Sequence, residues 1–111
     1  MNYIAMPGLK YREVDDTYTR RAKVIESVCQ AFDISFKRLH TTKRHKPLAI
    51  SRNLIFFFLR KHTSMTWLEI GSVFKRDHTT AIHGYTAIKN YFETDEVFRK
   101  QVMEIENKIL S

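Results

Sequence analysis

The run Arg76-Asp77-His78-Thr79-Thr80 places a cation, a carboxylate, an imidazole and two hydroxyls in succession, with few apolar groups before Ile82. A carboxylate accepts from the cytosine N4 amine, a threonine offers hydroxyl and methyl to thymine or adenine, and an imidazole donates to an acceptor edge. Asp77, His78 and Thr79 are therefore the first candidates for reading base edges, from the start of a helix pushed into the major groove. Asp77 is also a strong helix N-cap whatever else it does. Three middling helix formers follow it, a local cost with no packing reason of its own.

A second candidate precedes them. His40 to Lys46 is a polar, basic loop. Such a loop can lay one arginine into a narrow minor groove, where the negative potential is strongest, while a lysine holds phosphate. Arg44 is the choice for the groove and Lys46 for the phosphate. His40, His45 and His62 suit surface or phosphate-facing positions. His78 and His83 lie about 140° apart on a helix, which disfavours a shared metal. With three glycines there is no Gly-rich phosphate loop, and no Ser-His-Asp or paired-carboxylate arrangement stands out. The expectation is a binding protein, not an enzyme, with no cofactor, metal or small-molecule substrate.

The net charge of +7 is unevenly placed. No acidic residue lies between Asp33 and Glu69, a stretch with eight cations: Lys37, Arg38, Lys43, Arg44, Lys46, Arg52, Arg60 and Lys61. The other eleven cations face twelve acids, so the rest of the chain sums to −1. A basic face on a nearly neutral body suits a polyanion. At 111 residues and 43% hydrophobic, including eight Phe and five Tyr, the chain can bury one core without staples. The single Cys29 excludes an internal disulfide and a thiolate finger. No apolar stretch approaches the roughly 18 residues of a membrane span, and Met1 to Tyr18 lacks the basic and apolar regions of a secretion signal. A soluble, cytoplasmic, nucleoid-associated protein is expected.

The elements that must hold these residues are all helices. Residues 1–16, with Pro7-Gly8 and the Glu13 to Asp16 cluster, are expected to form an irregular arm; residues 17–111 are expected to form one domain. A helix begins at Thr17, with Ile25, Val28, Cys29 and Phe32 inward. Asp33-Ile34-Ser35 breaks it, and Ser35 caps one further turn with Phe36 and Leu39. A second long helix runs from Pro47 to His62. Leu54, Ile55, Phe58 and Leu59 point inward and Arg52 and Arg60 outward. Its three consecutive phenylalanines require neighbours on more than one side. Thr66-Trp67-Leu68-Glu69 is a capping box opening a short helix that ends near Phe74. Asp77 caps the next helix, with Ile82, Tyr85, Ile88 and Phe92 as its stripe. Thr94 caps the last, whose Phe98, Val102, Ile105 and Ile109 form one face. The fold class is all-α, a helical bundle containing a helix-turn-helix.

The pattern resembles the C-terminal DNA-binding domain of the bacterial replication initiator DnaA, a Trp-repressor-like helix-turn-helix. The matching residues are Lys43-Arg44, Ser51-Arg52-Asn53, Leu68-Glu69-Ile70-Gly71 with Phe74, and Arg76 to Thr80 with Ile82-His83; the resemblance covers about residues 19–111. It implies that Arg44 reads the minor groove and that Asp77, His78 and Thr79 read bases of a DnaA box. It also implies that Lys43, Lys46, Arg52, Asn53, Arg60, Arg76, Thr80 and His83 contact the DNA backbone, with Trp67 and Leu68 packing beside it. The expected partner is duplex DNA, bound by a monomer at replication origins or regulated promoters. The alternatives are a dimeric Trp-repressor-like transcriptional regulator and a helical protein-interaction module. Three positions depart from the family: Lys75 stands where two glycines are usual, Leu68 where a proline is common, and Ala87 where a basic residue falls. Nothing in the chain resembles the family's ATPase domain. Either a fragment of a longer initiator or a free-standing reader is expected; Met1 and the unusual arm to Tyr18 favour the second, a small protein that occupies or marks such boxes as regulator or competitor.

Overall fold

The computed structural model describes the backbone of residues 9–41 and 45–111, and the side chains of residues 17–41 and 45–111. Five α-helices and one 3-10 turn occupy them, with no strand among the described residues. They are α1 (Leu9–Phe32), the turn Lys37–His40, α2 (Lys46–His62), α3 (Trp67–Ser72), α4 (His78–Thr94) and α5 (Glu96–Leu110).

The first helix begins at Leu9, not Thr17, so residues 9–16 continue it where an irregular arm was expected. Residues 1–8 lie outside the described residues. Residues 9–16 hold only Leu9, Tyr11 and Val14 as apolar groups, too few to make a sustained stripe of their own. Its end is built as the sequence suggests. Asp33 takes a left-handed conformation (φ 52°), the Ile34 N–H donates to the Cys29 carbonyl at 3.0 Å, and that of Asp33 to Gln30 at 3.3 Å. These two bonds satisfy carbonyls the helix would otherwise leave open. The cap position of the 3-10 turn falls at Phe36, not at Ser35, although the Ser35 hydroxyl one residue earlier accepts from the Arg38 N–H at 3.2 Å.

Helix α2 is the hub, packed against α1, α3, α4 and the 3-10 turn. Its three phenylalanines divide the work. Phe56 meets the ring of Phe74 on the α3 side (5.7 Å between centroids), Phe57 stacks on Tyr85 of α4 (5.3 Å), and Phe58 lies over His62 (6.1 Å). All three are buried.

On α4 the buried centre is Ala81, Gly84 and Ile88, while Ile82, Tyr85 and Phe92 are only partly covered. The expected stripe is thus rotated toward two small residues. A methyl at Gly84 would stand 2.5 Å from Asn53 Oδ1 and 2.8 Å from Phe56 Cδ2, so the absence of a side chain lets α4 press onto α2.

The last helix is capped by Asp95, not Thr94. The Asp95 carboxylate accepts from the Phe98 N–H at 3.0 Å. Thr94 instead ends α4, its hydroxyl donating to the Asn90 carbonyl. Val102, Ile105 and Ile109 are buried as expected.

Helix α5 is tied to α2 by Glu106, which receives Lys61 Nζ at 2.6 Å and contacts His62 Nε2 at 2.7 Å. His62 is therefore a packing residue, not a surface one. Burial alone would raise the Glu106 carboxyl, but hydrogen bonds and charge from Lys61 and His62 outweigh it and hold Glu106 below its ordinary value. A depressed carboxylate stabilises the fold above its unfolded pKa, and that stabilisation is lost as pH falls through the folded one. Glu106→Gln should cost roughly 1–2 kcal/mol at neutral pH, discounted for the half-exposed lysine. The gap between variant and parent should close below about pH 4. Thermal melts at pH 7 and pH 3.5 check this, and an unchanged gap would contradict the assignment.

Candidate nucleic-acid interface

The candidate interface comprises three pieces: the capping box of α3, the corner after it, and the first turn of α4. Thr66 accepts from the Glu69 N–H at 3.2 Å and Glu69 Oε1 from the Thr66 N–H at 2.8 Å, closing the box. The Thr66 N–H, more than the Thr66 hydroxyl, holds the Glu69 carboxyl below its usual range. This start fixes a six-residue helix whose end tightens: Val73 and Phe74 donate to the carbonyls of Ile70 and Gly71.

Lys75 is the corner. Its φ is 56°, the Arg76 N–H donates to the Gly71 carbonyl at 2.9 Å, and the Lys75 N–H to Ser72 at 3.1 Å. This repeats the arrangement that closes α1, in a position that favours glycine. A side chain there costs about 1–2 kcal/mol, part of which glycine returns through its freer unfolded chain. Lys75→Gly should therefore stabilise the domain by about 0.5–1 kcal/mol in urea denaturation. A destabilised variant would contradict the strain.

Asp77 Oδ1 accepts both the Thr80 N–H and the Thr80 hydroxyl, each at 2.9 Å. The N–H is the larger cause, and the hydroxyl the next, of a carboxyl held below its ordinary value. Asp77 thus caps α4 and remains exposed, as do His78 and Thr79; Thr80 is half-buried. Farther along, Thr79, His83, Thr86 and Asn90 follow the spacing of one helical face and all are exposed. Thr86 is not among the residues expected from sequence, although its place seven residues after Thr79 marks it. Ala87 is half-buried.

The remaining candidates separate into exposed, packed and undescribed groups. Lys46 is exposed at the first turn of α2. Arg60 is exposed and lies 4.5 Å over the Trp67 ring, which in turn packs edge-on against Tyr85 (5.4 Å). Leu68 stands out from α3, 68% exposed. Asn53 is half-buried against Gly84.

Arg52 corrects the sequence reading: expected outward, it is 7% exposed, and its Nη1 donates to the carbonyls of Leu39 (3.2 Å) and Thr41 (3.3 Å). Its partners are backbone groups, which residue types along a helix do not reveal. Arg76 is half-buried, its Nη2 donating to the same Thr41 carbonyl at 3.2 Å. Lys43 and Arg44 lie outside the described residues. His40 makes ring contacts with Phe36 and Phe74 and its Nδ1 lies 3.0 Å from the Phe36 carbonyl. Among the described residues no cluster of three metal-ligating side chains occurs, and no helix is long and apolar enough to cross a membrane.

An exposed, polar first turn, held by a capped corner behind a short capping-box helix, is the arrangement of a helix-turn-helix. The family model for the bacterial dnaA protein helix-turn-helix matches residues 22–88, which include α2, α3 and the first part of α4. The chain belongs to that family. Among its relatives is the chromosomal replication initiator protein DnaA of Oleidesulfovibrio alaskensis, 35% identical over 86 residues, covering 78% of this chain and 19% of the relative. The protein of the same name from a Thermoanaerobacter species is 33% identical over 84 residues, covering 76% and 19%. That of Streptococcus pyogenes is 34% identical over 110 residues, covering 96% and 24%. The chain thus spans about a fifth to a quarter of the length of these DnaA relatives. In this member of the DnaA family the corner is held by Lys75 in a left-handed conformation that favours glycine.

Proposed function

We propose that this domain binds duplex DNA sequence-specifically, in the manner of DnaA-box recognition, acting as a monomer and without catalysis of its own. The observation that carries the reading is the exposed Asp77-His78-Thr79 turn at the N-terminus of α4, on a chain of the DnaA helix-turn-helix family. In this reading Asp77, His78 and Thr79 meet base edges in the major groove and Arg44 meets the minor groove. Lys43, Lys46, Arg60, Thr80 and His83 hold phosphates, and Trp67 and Leu68 pack beside the strand. Arg60 suits this role because the Trp67 face holds its guanidinium in place while leaving it exposed. Occupying such boxes in the cytoplasm would make the domain a regulator or competitor of initiation.

Selection from random duplexes identifies the preferred site, and salt titration on it tests the chemistry. Neutralising about five to seven phosphates gives a log–log slope of about −4.5 to −6. A flat response on every duplex would remove the DNA reading. His78→Ala should cost about 1–3 kcal/mol on the preferred site and relax discrimination there, whereas Lys46→Ala should weaken all sequences alike. Equal loss for His78→Ala on random DNA would contradict base reading. Sedimentation showing a stable dimer would favour a palindrome-binding regulator instead.

A further inference from the structure

Two arginines converge on one backbone oxygen. Arg52 comes from the first half of α2 and Arg76 from the corner before α4, yet both donate to the carbonyl of Thr41, and Arg52 also holds that of Leu39. Among the described residues neither makes an ion pair with a carboxylate. Burial first, and the charge of Arg76 second, make the Arg52 guanidinium easier to deprotonate than usual, the signature of like charges held close in a sheltered place. Such an arrangement opposes folding except as far as the hydrogen bonds to the two carbonyls offset it. What they hold is Thr41, separated in sequence from Lys43 and Arg44 of the basic loop by Thr42 alone. Guanidinium suits this task because its donors diverge in one plane and can serve two carbonyls at once.

We infer that Arg52 and Arg76 are positioning residues: they clamp the Thr41 carbonyl and thereby tie the foot of the basic loop to the first turn of the recognition helix. The inference rests on the DNA-binding reading above and changes the part these two residues play in it. Phosphate contact would make each a uniform source of affinity. A clamp instead sets the spacing between the two elements that read DNA, so its loss falls on discrimination.

The test uses the whole chain. Arg76 is the residue to change, being half-buried where Arg52 is buried, and methionine keeps the stem while removing the donors. Arg76→Met, Arg44→Ala and the double variant are titrated by fluorescence anisotropy on the selected duplex and on a random-sequence duplex of equal length. A clamp predicts about tenfold weaker binding of Arg76→Met to the selected duplex, an unchanged salt slope, and less than about twofold further loss in the Arg44→Ala background. Losses that multiply in the double variant, or an equal loss on random DNA with the slope reduced by about one, would overturn it in favour of a phosphate contact. The carbonyl carbon shift of Thr41, measured by NMR without DNA, reports the hydrogen bond itself. It should move in Arg76→Met, and an unmoved shift overturns the clamp whatever the binding data show. A parent domain that prefers no duplex removes the DNA reading, and the carbonyl shift still decides whether the clamp exists.

Discussion

Phe74→Ala is expected to remove roughly 3–5 kcal/mol of stability, the range for deleting a large aromatic from a packed interior. Phe74 is 2% exposed, and its ring meets Phe36 at 5.6 Å, Phe56 at 5.7 Å and His40 at 5.3 Å. Those neighbours come from α2 and from the segment around the 3-10 turn, so the ring joins the end of α3 to both. Against a total stability of about 5–15 kcal/mol, the loss would leave the domain marginal at best. Urea denaturation of parent and variant measures it directly. A difference under about 1 kcal/mol would mean that the three-way contact contributes far less than its burial implies. Binding should fall with stability, because Asp77 follows Phe74 by three residues, across the Lys75 corner.

Gly71→Ala is expected to destabilise by about 2–3 kcal/mol, against the direction helix propensity alone would give. Alanine is the better helix former by about 1 kcal/mol, and Gly71 lies inside α3. A methyl there, however, would stand 2.7 Å from the carbonyl oxygens of both Arg76 and Asp77. These are backbone atoms of the corner, so no rotamer change can make room. The start of α4 would have to move. The variant should therefore also lose about tenfold or more in affinity for the selected duplex at temperatures where it remains folded. Circular dichroism melts and titration of the folded variant check both halves. A variant as stable as its parent would show that the corner yields easily.

The helices were legible in the sequence where spacing and caps agree. Thr66 with Glu69, Asp77 before His78, and the stripes of α1 and α5 each announced an element through local chemistry. The contribution of three adjacent phenylalanines to a central helix was equally readable, since one face cannot hold them. Other features depended on partners distant in sequence. Arg52 looks like a surface cation until the carbonyls of residues 39 and 41 fold over it. Ala81 and Gly84 carry too little apolar surface to mark a buried stripe, yet their smallness sets how closely α4 approaches α2. Thr94 and Asp95 are both capable caps, and the carboxylate won. Residues 9–16 form helix without an apolar period, so periodicity had nothing to report.

The bond pair at the start of α4 has a consequence for any molecule that meets it. Both donors of Thr80 fall on Oδ1 of the exposed Asp77, so Oδ2 takes neither of them and the side chain is held before contact. An amine arriving there finds an acceptor whose direction is already set. Little rotational freedom remains to be frozen, so the encounter favours a donor at one position over water from any side.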